Sequence, residues 1–343
     1  MASRPILARI EGLAIIGVFL VLIAIFMIAA PQVFLGYRIY MSFLATVPPQ
    51  LILALGLTLV IAAGEIDLSF PSVIAFSGFV FAWAFKEYEL TWLALLLALA
   101  SGALIGLVNG LLIAVIGIPS IIATLATQFF WGGITTVLSG GLSYAIRTIN
   151  DYPIFDVFVG RIGVVPVQAL WATALALALW LILNRHRFGE HVLFIGDNRQ
   201  VAEVVGINVV REKVKLFTLM GVLGAFAAVL LTMENKNFFN TQGSGFLLTV
   251  MAAVFIGGTS IFGGKATIVG SFIGAYIIGM VEAGLVATGI QGFWVRAVVG
   301  LVFLAAVIFH LTMDEPGRLA RLRQMLRFGN RLARQPAPPQ ESG

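Results

Sequence analysis

Long apolar segments that follow one another constrain what this chain can fold into. A helix needs about 20 mostly apolar residues to cross a bilayer. Ten such segments are present: residues 13–34, 42–63, 69–85, 91–116, 119–138, 167–183, 215–233, 246–262, 267–288 and 293–313. The composition also differs strongly from that of soluble domains, because 60% of the residues are hydrophobic and only 11% are charged. The sequence predicts an all-α polytopic membrane protein with about ten transmembrane helices, nine or eleven being the alternatives.

Positive charges predict the orientation of the chain, because cytoplasmic loops carry an excess of Lys and Arg. With the amino terminus inside, fifteen of these residues lie in the cytoplasm, five outside and Arg296 within a span. Both termini are therefore predicted to be cytoplasmic. This orientation explains the excess positive charge, so no nucleic-acid partner is predicted.

The predicted organisation has three parts. Residues 1–12 form a cytoplasmic amino terminus, and residues 13–313 form the transmembrane domain. Within that domain, residues 184–214 form a cytoplasmic loop and residues 139–166 the longest external one. The basic tail, residues 314–343, is predicted to lie on anionic membrane lipid.

Prolines and glycines predict how the spans are built. Pro48 and Pro49 interrupt the second span and free backbone groups that need partners within protein or a wet cavity. Small residues recur at the spacing that lets helix backbones approach closely. They form two ridges: Gly102, Gly106 and Gly110 in one span, and Gly270 and Gly274 in another.

A polar island, residues 196–208, interrupts the apolar sequence within the predicted cytoplasmic loop. Asp197 or Asn198 can cap a short helix, and Gly206 can supply the left-handed residue that ends it. The apolar residues of this helix share one face: Val201, Val204 and Val205. So short a helix is not stable alone in water. We therefore expect it to dock, either on its own membrane domain or on another subunit.

Two carboxylates lie at a span junction, residues 64–69. Glu65 and Asp67 can be read as a proton relay. Alternatively, Ser69 caps the next span, Pro71 occupies its first turn and Asp67 lies near the positive end of the helix. The chain has no cysteine and three scattered histidines. Because no catalytic triad or metal-binding spacing is present either, we predict no catalytic residue and no metal site.

A glycine-rich segment, residues 257–267, has some features of a phosphate-binding loop. The pattern requires glycine where Thr259 stands and Ser or Thr where Ala266 stands. The segment also joins two predicted spans instead of a strand and a helix. We therefore expect no nucleotide or other cofactor in this chain, and any use of ATP in a partner chain.

Four motifs together resemble the permease subunits of bacterial ABC importers for ribose and other simple sugars, over residues 45–312. They are residues 64–69, 121–127, 196–208 and 257–270, the last followed by Phe293 and Trp294. The resemblance implies the ABC importer permease fold, with a pore formed by two identical or similar permease chains. It also implies ATPase subunits that hold ATP and Mg, a periplasmic solute-binding protein, and location in the bacterial inner membrane.

The resemblance implies alternating access, in which ATP binding and hydrolysis move the short cytoplasmic helix and the spans attached to it. ATPase coupling is accordingly expected at Gly196, Asp197, Asn198, Arg199, Ala202, Glu203, Gly206, Ile207 and Asn208. The solute pathway is expected near Glu65, Asp67, Ser69, Thr124, Thr127, Gln128, Trp131 and Thr249.

At several positions this chain departs from the family's motifs, and these departures affect which solute is predicted. Glu65 and Pro71 stand where glycine is more usual, and Trp131 stands where arginine is common. Leu247 and Thr249 stand at positions where members of the family often have an acidic residue. We therefore predict a simple sugar or polyol without specifying ribose, with nucleosides and branched-chain amino acids as alternatives.

Two alternatives belong to other functional classes. An ion-coupled secondary carrier would work through Glu65, Asp67 and Glu282 and would need no ATPase. A non-transporting membrane scaffold would tolerate polar substitutions along the pathway. Because the carboxylates lie mainly at span junctions, the importer is favoured over both.

Overall fold

The computed structural model describes the backbone of residues 4–314 and the side chains of residues 15–308. The prediction for the basic tail therefore lies outside the described residues, except for Asp314 at its start. The described chain is mostly helical, with two small pairs of strands.

The helices follow one another in chain order. They are α1 (Arg4–Ala29), α2 (Pro31–Phe34), α3 (Tyr37–Thr46), α4 (Pro48–Ala62), α5 (Phe70–Tyr88), α6 (Thr91–Ala114), α7 (Ser120–Ser139), α8 (Pro153–Val159), α9 (Val167–Arg185), α10 (Arg187–Asp197), α11 (Arg199–Val204), α12 (Val209–Glu234), α13 (Phe246–Ile256), α14 (Ile268–Ala287) and α15 (Phe293–Asp314). A 3₁₀ helix covers Arg147–Asp151.

Two antiparallel strand pairs lie in the connections predicted to be external. Strand β1 (Tyr144–Ala145) pairs with β4 (Asn237–Phe238), and β2 (Arg161–Ile162) pairs with β3 (Val165–Pro166). The β1–β4 pair joins the connection before α9 to the connection before α13. Both connections therefore lie at the same end of the helices.

Each predicted span overlaps a helix or consecutive helices, and one of them, residues 246–262, is helical over only part of its length. Among the described residues, five helices are long and apolar enough to cross a membrane alone: α6, α7, α9, α12 and α14. A sixth span forms if α3 and α4, which meet at 51°, are taken together. The chain is thus a polytopic helical membrane protein, and the total of ten spans stays a prediction.

The prolines interrupt the second span where the sequence predicts. Pro48 and Pro49 occupy the first positions of α4, where a missing N–H group leaves no helical hydrogen bond unmade. Apart from Gln50, every residue of α4 is buried. A helix that is apolar on all sides belongs in the interior of a bundle, and α4 is packed there against α12, α13 and α14.

The predicted glycine ridge of α6 is confirmed as a helix-packing surface. Gly102, Gly106 and Gly110 lie against α12, and a Cβ on either of the first two would overlap a carbonyl oxygen of Gly221 or Phe217. Packed against α4, α5 and α6, helix α12 has 72% of its most apolar segment buried, the largest share among the five long helices. Helices α4 and α12 therefore form the centre of the bundle.

Helix α13 is shorter than its predicted span because it ends at Ile256. Its 11 residues cover only about 16 Å, too little to cross a bilayer. Gly270 and Gly274 of α14 pack directly against the backbone of Gly257 and Ala253. The second predicted glycine ridge is thus confirmed, and the rest of the predicted span is a loop.

Replacing Gly106 with alanine tests the contact between α6 and α12. Because the added Cβ would overlap the carbonyl oxygen of Phe217, we expect the free energy of unfolding in mild detergent to fall by about 1–3 kcal/mol. Thermal unfolding of the purified protein measures this loss. Gly17→Ala on α1 is the matched control, because nothing lies within 4 Å of the position its Cβ would take. Equal melting temperatures for Gly106→Ala and the unmodified chain would contradict the packing.

Candidate functional site

The short helix predicted in the polar island is α11. A second helix, α10, precedes it and ends at Asp197, within the first two residues of the island. Asn198, and not Asp197, caps α11, since its side-chain oxygen accepts from the N–H of Val201 at 3.1 Å. Gly206 has a φ of 87°, as predicted for the residue that ends the helix. Asn208 caps α12, a role that sequence reasoning had not given it.

The valine face of α11 is not covered by the rest of the described chain. Val201 is 49% exposed, Val204 87% and Val205 62%. Arg199 and Glu203 form an exposed ion pair at 3.0 Å beside this face. On its other side the helix is held by a small apolar cluster of Ile195, Ala202, Ile207 and Val209. Helix α11 is therefore fixed to its own chain while its valine face is free for a partner.

Three chain segments meet in backbone contact behind α11. A Cβ on Gly196 would overlap the carbonyl oxygen of Ala62, and the N–H of Gly264 donates to the same oxygen at 2.9 Å. Gly263 lies against both Gly64 and Gly196. We call this contact of Ala62, Gly64, Gly196, Gly263 and Gly264 the glycine crossing. The sequence identified these glycines as motif residues but did not indicate that they meet.

Left-handed backbone angles explain part of the glycine requirement. Gly64, Gly263 and Gly264 have φ values of 75°, 82° and 73°, a region that other residues rarely adopt. Gly196 is required for a different reason, since the space for a side chain is filled by backbone. The end of α10, the end of α4 and the loop before α14 are thereby held together.

Several residues of the predicted pathway form a buried chain of hydrogen bonds, which we call the polar chain. Asp67 accepts from the N–H of Ser69 at 2.7 Å and from its hydroxyl at 2.6 Å. The side-chain N–H of Asn109 donates to the Ser69 hydroxyl oxygen at 2.7 Å, and the Thr127 hydroxyl donates to Asn109 at 2.7 Å. All four residues are buried. Sequence reasoning missed Asn109, although an amide within an apolar helix is a signal for a polar partner.

The non-helical connector between α4 and α5, residues 63–69, runs along the start of α7. The N–H of Ile66 donates to Ser120 at 3.1 Å, and the N–H of Leu68 donates to Thr124 at 3.0 Å. Irregular backbone within a membrane protein needs such internal partners. The α7 hydroxyls therefore fix the position of the connector.

The capping role predicted for Ser69 is only partly right. Ser69 precedes α5 and Pro71 lies in its first turn, as predicted, but the Ser69 side chain makes no capping hydrogen bond. Its hydroxyl instead bonds to Asp67 and Asn109. Because Asp67 lies in the connector and is buried, desolvation raises the pKa of its carboxyl, and the hydrogen bonds from Ser69 oppose this rise.

Glu65 has a partner that the sequence did not reveal. It forms an ion pair with Lys213 of α12, and both side chains are largely buried, at 13% and 7% exposure. Glu65 and Asp67 are therefore engaged by different groups. The ion pair ties the connector to the first turns of the helix that follows α11.

The remaining pathway candidates lie apart from the polar chain. The Trp131 ring contacts Phe76 of α5, with ring centroids 5.0 Å apart. The side-chain oxygen of Gln128 and the indole nitrogen of Trp131 are buried and have no hydrogen-bond partner among the described residues. The Thr249 hydroxyl bonds within α13, to the carbonyl of Phe246 at 3.2 Å. The structure joins the connector residues with Thr124 and Thr127, whereas no described hydrogen bond links Thr249 to them.

The family of the chain follows from comparison with known proteins. A family model described as branched-chain amino acid transport system / permease component matches residues 39–307. The ribose import permease protein RbsC of Escherichia coli strain K12 is 33% identical over 290 residues, which cover 84% of this chain and 90% of the relative. RbsC of Bacillus subtilis strain 168 is 35% identical over 260 residues, covering 75% and 80%.

A third relative carries a different name. The autoinducer 2 import system permease protein LsrC of Klebsiella pneumoniae is 31% identical over 320 residues, covering 92% of this chain and 89% of the relative. No solved structure matches the chain. The fold together with the family match defines the class as a multi-pass membrane transport protein. The chain belongs to the family of transport-system permease components, which confirms the resemblance seen in the four motifs.

Membership in this family also fixes the location of the chain. Permease components are transport subunits, and this chain has several helices able to span a membrane. It is accordingly a multi-pass protein of the bacterial inner (cytoplasmic) membrane.

Removing one partner of the buried ion pair tests its role. Lys213→Met would leave Glu65 charged and unpaired, so we expect the free energy of unfolding to fall by about 3 kcal/mol. Thermal unfolding in mild detergent measures the loss, and adding Glu65→Gln is expected to recover part of it. Arg199→Met is the matched control, since its pair with Glu203 is exposed and is worth less than about 1 kcal/mol. Equal losses in the two single variants would show that the Glu65–Lys213 pair is no stronger than a surface pair.

Proposed function

We propose that this chain is the membrane-spanning permease subunit of an ATP-driven ABC importer that moves a simple sugar or polyol from a periplasmic binding protein into the cytoplasm. The observation that carries the proposal is the uncovered valine face of α11, fixed to the chain on its other side. Relatives named for ribose import support a sugar as the solute. The family description keeps branched-chain amino acids as the second candidate class.

The partner at the valine face is an ATPase subunit that holds ATP and Mg. Apolar side chains exposed beside charged ones are typical of a docking surface with a polar rim. On α11 the rim is supplied by Arg199 and Glu203, and the apolar centre by the three valines. Each valine that becomes fully buried on docking contributes about 1.5 kcal/mol or more to association.

Movement of α11 reaches the pathway through packed backbone. Its anchor residue Ile195 lies next to Gly196 in the glycine crossing, where Ala62 ends α4 and Gly64 lies at the start of the connector. Because backbone meets backbone there, no side chain can rotate to absorb a displacement. The connector in turn is bonded to α6 and α7 through the polar chain. A pull on α11 therefore moves pathway helices.

A second permease chain, identical or similar, completes the pore. Residues 239–245 are non-helical and run beside α5, with Gln242 against Gly78 near the middle of that helix. Thr241, Ser244 and Gly245 in this segment are exposed. Exposed irregular backbone is not stable against lipid. It is compatible with a membrane only where another chain covers it or where it lines a wet pathway.

The proposal is tested by purifying the tagged chain from its native membrane in mild detergent and identifying the proteins that accompany it. We expect a stoichiometric ATPase and a solute-binding protein. Proteoliposomes that hold the complete complex are expected to take up labelled D-ribose or another simple sugar only when ATP is supplied on the ATPase side. Uptake driven by a proton or sodium gradient without an ATPase would overturn the proposal in favour of a secondary carrier.

Placing a charge on the valine face tests the docking role of α11. We expect Val204→Asp to abolish co-purification of the ATPase and ATP-dependent uptake while leaving thermal stability unchanged, because Val204 is 87% exposed in the chain. Val164→Asp is the matched control, since Val164 is also exposed, at 57%, but lies in the predicted external connection. Retention of the ATPase by Val204→Asp would contradict the docking surface.

A further inference from the structure

Two buried polar atoms lie one turn apart on α7 without a partner. They are the side-chain oxygen of Gln128 and the indole nitrogen of Trp131, which make no hydrogen bond among the described residues. Residues three apart on a helix are surface neighbours. The Gln128 oxygen is an acceptor, and the Trp131 nitrogen carries the hydrogen of a donor group. Buried polar groups are normally paired, so this pair points to a ligand.

Aromatic contacts hold the indole in place. The Trp131 ring lies 5.0 Å from the ring of Phe76 and 5.1 Å from that of Phe130, between centroids. Phe76 belongs to α5, so the indole is packed between two helices of the pathway. Its N–H group therefore stays close to the turn that carries Gln128.

Neither α7, which carries both side chains, nor the part of α5 around Phe76 contains a charged residue. Helix α7 contains no Asp, Glu, Lys or Arg, and the charged residues of α5, Lys86 and Glu87, lie at its predicted external end. An uncharged, partly apolar site favours a neutral ligand over an ion or a zwitterion. A hydroxyl group is neutral and can donate and accept at once.

We propose that Gln128 and Trp131 form a contact site for the transported solute, which takes a hydroxyl group of a neutral sugar or polyol. The hydroxyl donates to the Gln128 oxygen and accepts from the Trp131 N–H, which gives both buried atoms a partner. The faces of Trp131 and Phe76 supply apolar surface for the C–H groups of the same molecule. This inference rests on the proposed function of the chain as a sugar importer and disfavours amino acids as the solute.

The test uses the complete importer in proteoliposomes, at solute concentrations that saturate the binding protein so that the selectivity of that protein does not limit the rate. The probes are labelled D-ribose, D-xylose and xylitol, and the monodeoxy analogues of whichever is imported fastest. For the unmodified chain we expect the uptake rate of one deoxy analogue to be lower than that of its parent by a factor of about five or more. This factor is the parent-to-analogue ratio. In Gln128→Leu and in Trp131→Phe this ratio is expected to fall close to one.

The ratio separates contact with the solute from a structural role. A variant that only damages folding slows the parent sugar and its analogue equally and leaves the ratio unchanged. Gln128→Met, close in size to glutamine, serves if Gln128→Leu fails to assemble with the ATPase. Phe129→Leu is the matched control on the same helix, since Phe129 is 73% exposed, and it is expected to keep the full ratio.

Three results would overturn the proposed contact site. A ratio that stays at the unmodified value in both the Gln128 and Trp131 variants overturns the contact site alone. The same conclusion follows if the unmodified importer moves a sugar but tolerates the loss of every hydroxyl. If the unmodified importer moves none of these neutral probes while ATP-driven uptake of branched-chain amino acids is found, both the proposed solute class and the contact site are wrong.

Discussion

Backbone contact without intervening side chains, at the glycine crossing, is the constraint on which the rest of this structure depends. Gly196 must approach the carbonyl of Ala62 so closely that no Cβ fits, and Gly263 lies against Gly64 in the same place. The crossing joins the helix that ends beside α11, the helix at the centre of the bundle and the loop before α14. Such a contact transmits displacement because it has no side-chain rotamers that could yield. The proposed docking surface on α11 and the proposed solute pathway are thereby parts of one body.

Hydrogen bonding explains why the interruption of the bundle at residues 63–69 is stable. Its N–H groups are bound by Ser120 and Thr124 of α7, and Asp67 is bound by Ser69. An unpaired backbone group in an apolar interior costs several kcal/mol, so these hydroxyls allow a helix to be broken near the pathway. The polar chain ends at Thr127 of α7, the helix that also carries Gln128 and Trp131. The proposed solute contact therefore lies on a helix that is bonded to the segment that α11 would move.

Local rules predicted much of this fold from the sequence. The proline break before α4, the glycine ridge of α6 and the cap at Asn198 each follow from chemistry within a few residues, and each is confirmed. Long-range partners were not predictable in this way. The pairing of Glu65 with Lys213 and the place of Asn109 in the polar chain depend on which helices become neighbours. For the same reason the motifs identified the glycines of the glycine crossing but did not indicate that these glycines contact one another.

The account is tested most directly by measuring whether α11 and the glycine crossing move together. The chain contains no cysteine, so pairs of nitroxide labels can be attached at introduced cysteines and their distances measured by pulsed electron paramagnetic resonance. Gln200 of α11 outside the valine face, Phe262 in the loop of the crossing, and Tyr88 at the far end of α5 are all exposed. In the complete importer, ATP binding is predicted to leave the Gln200–Phe262 distance unchanged and to alter the Gln200–Tyr88 distance. A change in the Gln200–Phe262 distance with a constant Gln200–Tyr88 distance would contradict the account.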